Sequence, residues 1–171
     1  ATNDNNQTAH ALYNHFGHNN TLKATAIMPF SSKRKLSAVT FQGQGTFIMG
    51  APEFVLKPMP TRIDKIVKQY AQMGLRVLVL AHSPSPLQGD KIPIGLKAVA
   101  VITLSDNIRP DAIDTIKWFK ENDVEVKVIS GDNPVTVSEV ARRAGIKNAS
   151  RYISLEGLSE IEVENAANEY T

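Results

Sequence analysis

The feature that most limits what this chain can fold into is a change of pattern near residue 95. Before it, apolar residues come in short runs at 21–28, 36–41 and 46–49, rich in β-branched side chains and separated by turn residues. That is the grammar of half-buried antiparallel strands. After it, LKAVAVITL (96–104) is, but for Lys97, a nearly continuous apolar run, as expected of a strand buried on both faces. A helical segment (110–122), a second apolar run VEVKVI (124–129) and a second helix (134–145) follow with short links. Strand–helix–strand–helix calls for parallel strands and right-handed crossovers. The 171 residues therefore read as a mixed α/β chain of two units: a mostly antiparallel α+β module over 1–104, then an incomplete α/β module over 105–171.

Local signals fill in the rest. Residues 8–16 read as a short helix with Ala9, Leu12 and Phe16 on one face. Gly43-Gln44-Gly45 supplies the turn of a hairpin. Pro52 suits the first turn of a helix through Leu56, where a missing N–H costs nothing. Thr61 is expected to cap a helix to about Met73, stopped by Gly74 and followed by a strand over 75–81. Residues 82–93, with three prolines and a glycine, read as a loop. Ile113, Ile116, Trp118 and Phe119 are candidates for packing on the 110–122 helix. A third short strand is expected over 152–154 and a last helix over 158–168.

Nineteen Lys and Arg against seventeen Asp and Glu leave a net charge of +2, too balanced to call for a nucleic-acid or anionic-membrane partner. There is no cysteine. Disulfides and thiolate metal sites are excluded, and an intracellular setting is favoured. No apolar run approaches the length of a membrane span, so direct membrane insertion is not expected. The chain starts without Met, shows no signal-peptide pattern and ends on VENAANEYT; it reads as a piece of something longer. Asn6-Gln7-Thr8, Asn19-Asn20-Thr21 and Asn148-Ala149-Ser150 fit the glycosylation pattern by chance. His10, His15 and His18 lack a carboxylate or cysteine to complete a metal set and read as surface residues.

In an open parallel sheet, ligands gather at the carboxyl ends of strands. Two such ends stand out: Ile129-Ser130-Gly131-Asp132, and Leu104-Ser105-Asp106 with Asn107-Ile108-Arg109-Pro110 behind it. At the first, Gly131 lets the backbone approach an anion, the Ser130 hydroxyl adds a neutral donor, and Asn133-Pro134 opens a helix whose N-terminus adds positive potential. The residues alone leave two readings open, a phosphoryl cradle or a strand–helix turn whose polar residues cap the helix. At the second, the plain reading has Asp106 capping the helix and Arg109 pairing with it. Phe30 beside Lys33-Arg34-Lys35 is likewise either a base-stacking aromatic among phosphate-attracting cations or an apolar residue beside a solvated charge run.

Five stretches in one order, PFSSKRKLSAV (29–39), FIMGAPEFVL (47–56), GLRVLVLA (74–81), LSDNIRPDAI (104–113) and VISGDNPVTVSEVARRAGI (128–146), resemble one family. It is the P-type (E1-E2) cation-transporting ATPases, and the likeness covers nearly the whole chain. The resemblance implies a nucleotide-binding domain over 1–104 and part of a haloacid dehalogenase-like phosphorylation domain over 105–171. In this family the first is inserted into the second, which makes Ser105-Asp106 the returning hinge. It further implies that Phe30 stacks on adenine and that Lys35 lies near the nucleotide. Gly50, Ala51, Pro52 and Glu53 match a turn lining the adenine pocket, and Arg76 an arginine reaching the phosphates. Asp106 and Arg109 match the hinge pair, Ser130 and Gly131 the pair holding the transferred phosphoryl group, and Asp132 the aspartate that organises the closed site.

The chain departs from the family pattern in places. Met49 stands where many relatives have a lysine, which removes a cation and lowers the expected ATP affinity. Ser130 replaces the commoner threonine, and Ser32 stands where some relatives carry arginine. For the carboxylate that often meets the adenine amino group, only Asp4 offers a match. The DKTGT-type stretch with the phosphate-accepting aspartate and the GDGxND-type stretch with a magnesium ligand do not occur in this sequence. The implied cofactors are ATP and Mg2+, the metal ligands lying outside these residues. The implied partners are the remaining phosphorylation, actuator and transmembrane parts of the same polypeptide, at the cytoplasmic face of a membrane. Such a chain binds nucleotide without turning it over. A haloacid dehalogenase-like phosphatase and a nucleotide-independent interaction module are the alternatives.

Overall fold

Prolines and glycines punctuate the first half at the places where its strands end. The computed structural model describes residues 6–17, 21–105 and 107–171. Helix α1 (Gln7–Phe16) opens under Asn6, whose side chain accepts from the Ala9 amide at 2.9 Å. Strands β1 (Ala24–Ser31), β2 (Leu36–Phe41) and β3 (Gly45–Gly50) follow as an antiparallel meander. The 43–45 turn sets Phe41 opposite Gly45, and the same register runs on to Leu36 opposite Gly50. Helix α2 (Pro52–Val55) has Pro52 in its first turn. Helix α3 (Thr61–Gln72) includes Thr61 itself, which was expected one position earlier, as the cap. Strand β4 (Arg76–Ser83) pairs antiparallel with β3, and β5 (Lys97–Leu104) completes a sheet of order β1-β2-β3-β4-β5. Helices α4 (Pro110–Glu121), α5 (Pro134–Arg143) and α6 (Glu160–Glu169) make up the rest. The chain forms two compact units, one running through Val67 and resuming over Val77–Leu104, the other made of Lys68–Arg76 and Ser105–Thr171.

In the first unit β3 and β4 alternate strictly between half-buried and buried residues. One sheet face presents Met28, Leu36, Ala38, Ile48, Val79 and Ala81, and onto it pack Val55, Leu56 and Leu87. Ile48 and Val79 are wholly shielded from solvent, each contributing about 1.5–3 kcal/mol through burial. A chain of buried hydroxyls ties down the proline-rich loop. The Leu87 amide donates to Thr40 Oγ1 at 3.0 Å, Thr40 Oγ1 lies 2.9 Å from Thr46 Oγ1, and Thr46 Oγ1 donates to the Ser85 carbonyl at 2.7 Å. The Thr40 and Thr46 hydroxyls thus both have partners, which offsets the cost of taking them out of water.

Strand β5 departs from the expectation of burial on both faces: Lys97, Ala98 and Val99 are exposed. It ends the strand order beside β4 instead of beginning a parallel sheet. Only its inward residues, such as Val101, meet the core.

In the second unit the helices stand where the pattern put them. Asn133 accepts from the amides of Val135 at 3.0 Å and Thr136 at 3.4 Å, and Pro134 fills the first position of α5. Thr136 Oγ1 donates to the Leu75 carbonyl at 3.2 Å, fixing α5 to the turn after α3. α6 opens with a capping box between Ser159 and Glu162. The strands expected over 124–129 and 152–154 do not form: neither stretch joins a ladder among the described residues. An isolated strand leaves its N–H and C=O groups unpaired, so apolar pattern alone does not make one. Ile113 and Trp118, candidates for packing, are 47% and 57% exposed. Among the described residues no helix is long and apolar enough to cross a membrane.

Candidate functional site

β1 is the outer strand of the sheet, and its register slips between Met28 and Ser31. Met28 stands opposite Ala38, whereas Ser31 stands opposite Leu36, so β1 carries one residue more than β2 over this span. Ala38 and Leu36 both face the core, and paired residues share a face. Without the slip, Phe30 would follow Met28 into the core at a spacing of two. The bulge turns it to the other face, where it is 45% exposed. Pro29, which has no N–H for a ladder, is tolerated at such an edge bulge.

The opposite face continues across the sheet. Ser37 stands opposite Met49, and Met49 opposite Leu80. Phe30, Ser37, Met49 and Leu80 thus form a row of aromatic ring, hydroxyl, thioether and aliphatic side chain. At its end lies the 32–35 turn, closed by the Lys35 amide donating to the Ser31 carbonyl at 2.8 Å. Lys35 adopts a left-handed φ of 55°, and its carbonyl accepts from the Ala51 amide at 3.0 Å. Gly50 is buried beneath this turn. A Cβ there would sit 2.4 Å from the Lys35 carbonyl oxygen. The fold therefore gathers Phe30, Lys35, Gly50 and Ala51 at one end of the sheet, while Pro52 is buried and Glu53 exposed at the start of α2. Asp4, the candidate carboxylate, lies outside the described residues.

Arg76, expected with this group, falls in the second unit and donates from Nη2 to Asp132 Oδ2 at 2.5 Å. The side chains are 33% and 47% exposed. Ser130 Oγ accepts from the Asp132 amide at 3.1 Å, so in this loop the hydroxyl acts as acceptor where a donor was expected. Ser130, Gly131 and Asp132 are all exposed. Arg109 precedes α4 without a side-chain capping bond and pairs with Asp111 at 3.5 Å, both largely in solvent. Asp106 lies outside the described residues. On α5, the hydrogen bonds from Arg142 hold the Glu139 carboxyl below the usual carboxylate range and push Arg142 up in turn.

Among the described residues no three His, Asp or Glu side chains come together as a metal site. His10 and His15 lie on α1, and His18 falls outside the described residues. An open cleft of about 750 Å³ lies at the hairpin end of the sheet, lined among others by Phe41, Phe47, His82, Pro84 and Pro86, and contains none of the candidate site residues named from the sequence. Ser37 and Leu80 were not singled out in the sequence. The hairpin turn was the available signal, because setting Phe41 opposite Gly45 also sets Ser37 opposite Met49.

A family model described as haloacid dehalogenase-like hydrolase matches residues 8–164. The chain is 34% identical over 168 residues to the probable cation-transporting ATPase exp7 of Streptococcus pneumoniae, covering 97% of this chain and 21% of that protein. It is 39% identical over 123 residues to the calcium-transporting ATPase CtpE of Mycolicibacterium smegmatis, covering 72% and 15%. With the human plasma membrane calcium-transporting ATPase 1 it shares 29% over 162 residues, covering 77% and 13%. The chain thus spans about a fifth or less of the length of these curated relatives.

Proposed function

This chain belongs to the haloacid dehalogenase-like hydrolase family, and on that premise we propose that it is the ATP-binding cytoplasmic part of a P-type cation-transporting ATPase. Its first unit is then the nucleotide-binding domain. Its second unit is a portion of the phosphorylation domain. The homology to cation-transporting ATPases over most of its length supports this reading. The observation that carries it is the bulge between Met28 and Ser31, which turns Phe30 out of the core and into one row with Ser37, Met49 and Leu80.

In this reading an adenine ring stacks on Phe30 over the neutral row, and the Lys35 ammonium at the end of the row attracts the phosphate tail. Gly50 lets the 32–35 turn lie close against β3, which brings Lys35 to the rim. The Ser130-Gly131-Asp132 loop, at the N-terminus of α5, serves as one wall of the phosphoryl-transfer site. Phosphoryl transfer rests on positioning and charge stabilisation. The aspartate nucleophile and the magnesium ligands belong to other parts of the polypeptide, which couples ATP hydrolysis through an aspartyl phosphate to cation movement. The present chain binds the nucleotide and leaves it intact.

The test is an isotope-edited NMR titration of the chain with ATP, with and without magnesium, beside Phe30→Ala. Base stacking contributes about 1–3 kcal/mol, so the substitution weakens binding by roughly 5- to 150-fold. Shifts gather at Phe30, Ser37, Lys35, Gly50 and Met49. A folded chain whose spectrum is unchanged at millimolar ATP would overturn the reading and favour a nucleotide-independent interaction module.

A further inference from the structure

The bulge that turns Phe30 outward has a brace of its own. A residue inserted into a strand loses its ladder partners, so the local backbone is free to relax unless something else takes up its groups. Arg34 does so from across the turn. Its Nη2 donates to the Pro29 carbonyl at 3.2 Å, inside the bulge, and its own amide donates to Ser31 Oγ at 3.1 Å. The guanidinium lies against the chain closely enough that Nε is shielded from solvent with no hydrogen-bond partner. The far side of the same turn is anchored by Lys35, whose carbonyl accepts from the Ala51 amide.

We infer that Arg34 is a positioning residue for nucleotide: it clamps the Pro29 carbonyl so that Phe30 is held outward as a preformed stacking platform. The inference rests on the nucleotide-binding reading above and goes beyond it in assigning a role to a cation that itself meets no ligand. Among the cations at 33–35, Arg34 turns its side chain back onto the bulge. Its planar fork suits a carbonyl beside a packed chain, and the flexible ammonium of a lysine does not reproduce it.

The experiment compares the chain with Arg34→Lys, Arg34→Ala and Lys33→Ala. Each is titrated with AMP while the adenine H2 and H8 resonances are followed, and each is melted in parallel. A base stacked face-on to Phe30 shows an upfield ring-current shift at saturation, which a loss of stability alone does not change. The expected result is that Arg34→Ala, saturated and still folded, keeps less than about half of that shift and binds roughly tenfold more weakly. Arg34→Lys recovers little of either, and Lys33→Ala matches the wild type. If Arg34→Ala retains the full ring-current shift at saturation, the positioning role is overturned while the nucleotide site stands. If the wild-type chain shows no adenine shift at all, the nucleotide reading fails and this inference with it.

Discussion

Replacing Gly50 by alanine tests whether the 32–35 turn is held against β3 by close contact. A Cβ at this position would lie 2.4 Å from the Lys35 carbonyl oxygen, 2.5 Å from Leu36 Cβ and 2.7 Å from Leu36 Cα. None of these atoms belongs to the far end of a flexible side chain, so no rotamer change relieves the crowding, and β2 and β3 must part. Overpacking of this kind costs about 1–3 kcal/mol, offset by about 0.4–1 kcal/mol because alanine has less freedom than glycine in the unfolded chain. A net loss of about 2 kcal/mol is the expected outcome, from the upper part of the overpacking range because the obstruction is mostly backbone. For a unit of about a hundred residues that lowers the melting temperature by roughly 8–16 °C. Circular dichroism through the thermal transition reads it directly, and the amide resonances of Lys35, Leu36 and Ala51 move with it. Gly43→Ala is the control: its Cβ meets nothing within 4 Å, and only the left-handed φ of 72° opposes it, a cost of about 1 kcal/mol. A Gly50→Ala chain that melts within about 2 °C of the wild type would refute the packing argument, since a loss of about 2 kcal/mol in a unit of this size shifts the transition by several times that.

Two further outcomes are expected in the second unit. The Arg76–Asp132 pair is a third to a half exposed, so a double-mutant cycle of Arg76→Gln and Asp132→Asn in denaturant melts returns a coupling below about 1 kcal/mol that shrinks with added salt. A coupling several times larger and indifferent to salt would mean that the pair is sealed from water. Hydrogen bonds from the Ser159 side chain and amide hold the Glu162 carboxyl below its ordinary value of 4.5. Its stabilisation of α6 is therefore fully present above that value and is lost as the pH falls through the lowered one. Amide exchange in the first turn of α6 checks this: wild type and Glu162→Gln differ at pH 6 and converge at low pH, and an equal difference at both would contradict it.

Much of the architecture was legible because its causes are local. A hairpin needs only the 43–45 turn and the alternation around it, and the register of β2 on β3 follows from that turn. Asn133-Pro134 opening α5 and Ser159 with Glu162 opening α6 are contacts between residues two or three apart. The grouping of Phe30, Lys35, Gly50 and Ala51 was implied by the family resemblance, and the register of three strands brings these residues to one end of the sheet. The strands expected at 124–129 and 152–154 had the right residues and no neighbour to pair with among those described. Their apolar pattern records a tendency that only a partner strand realises.

What the amino-acid order determined by itself, then, is the inventory of elements within reach of short-range contacts, the mixed α/β class and the resemblance to a family. Tertiary structure decided which way the decisive side chains point. A single slipped register moved Phe30 from the core face to the opposite one, and Asp132, fifty-six positions away in sequence, became the partner of Arg76. Strand faces alternate with a period of two, so one inserted residue reverses the outcome, and neither bulge nor distant partner leaves a mark in the local pattern.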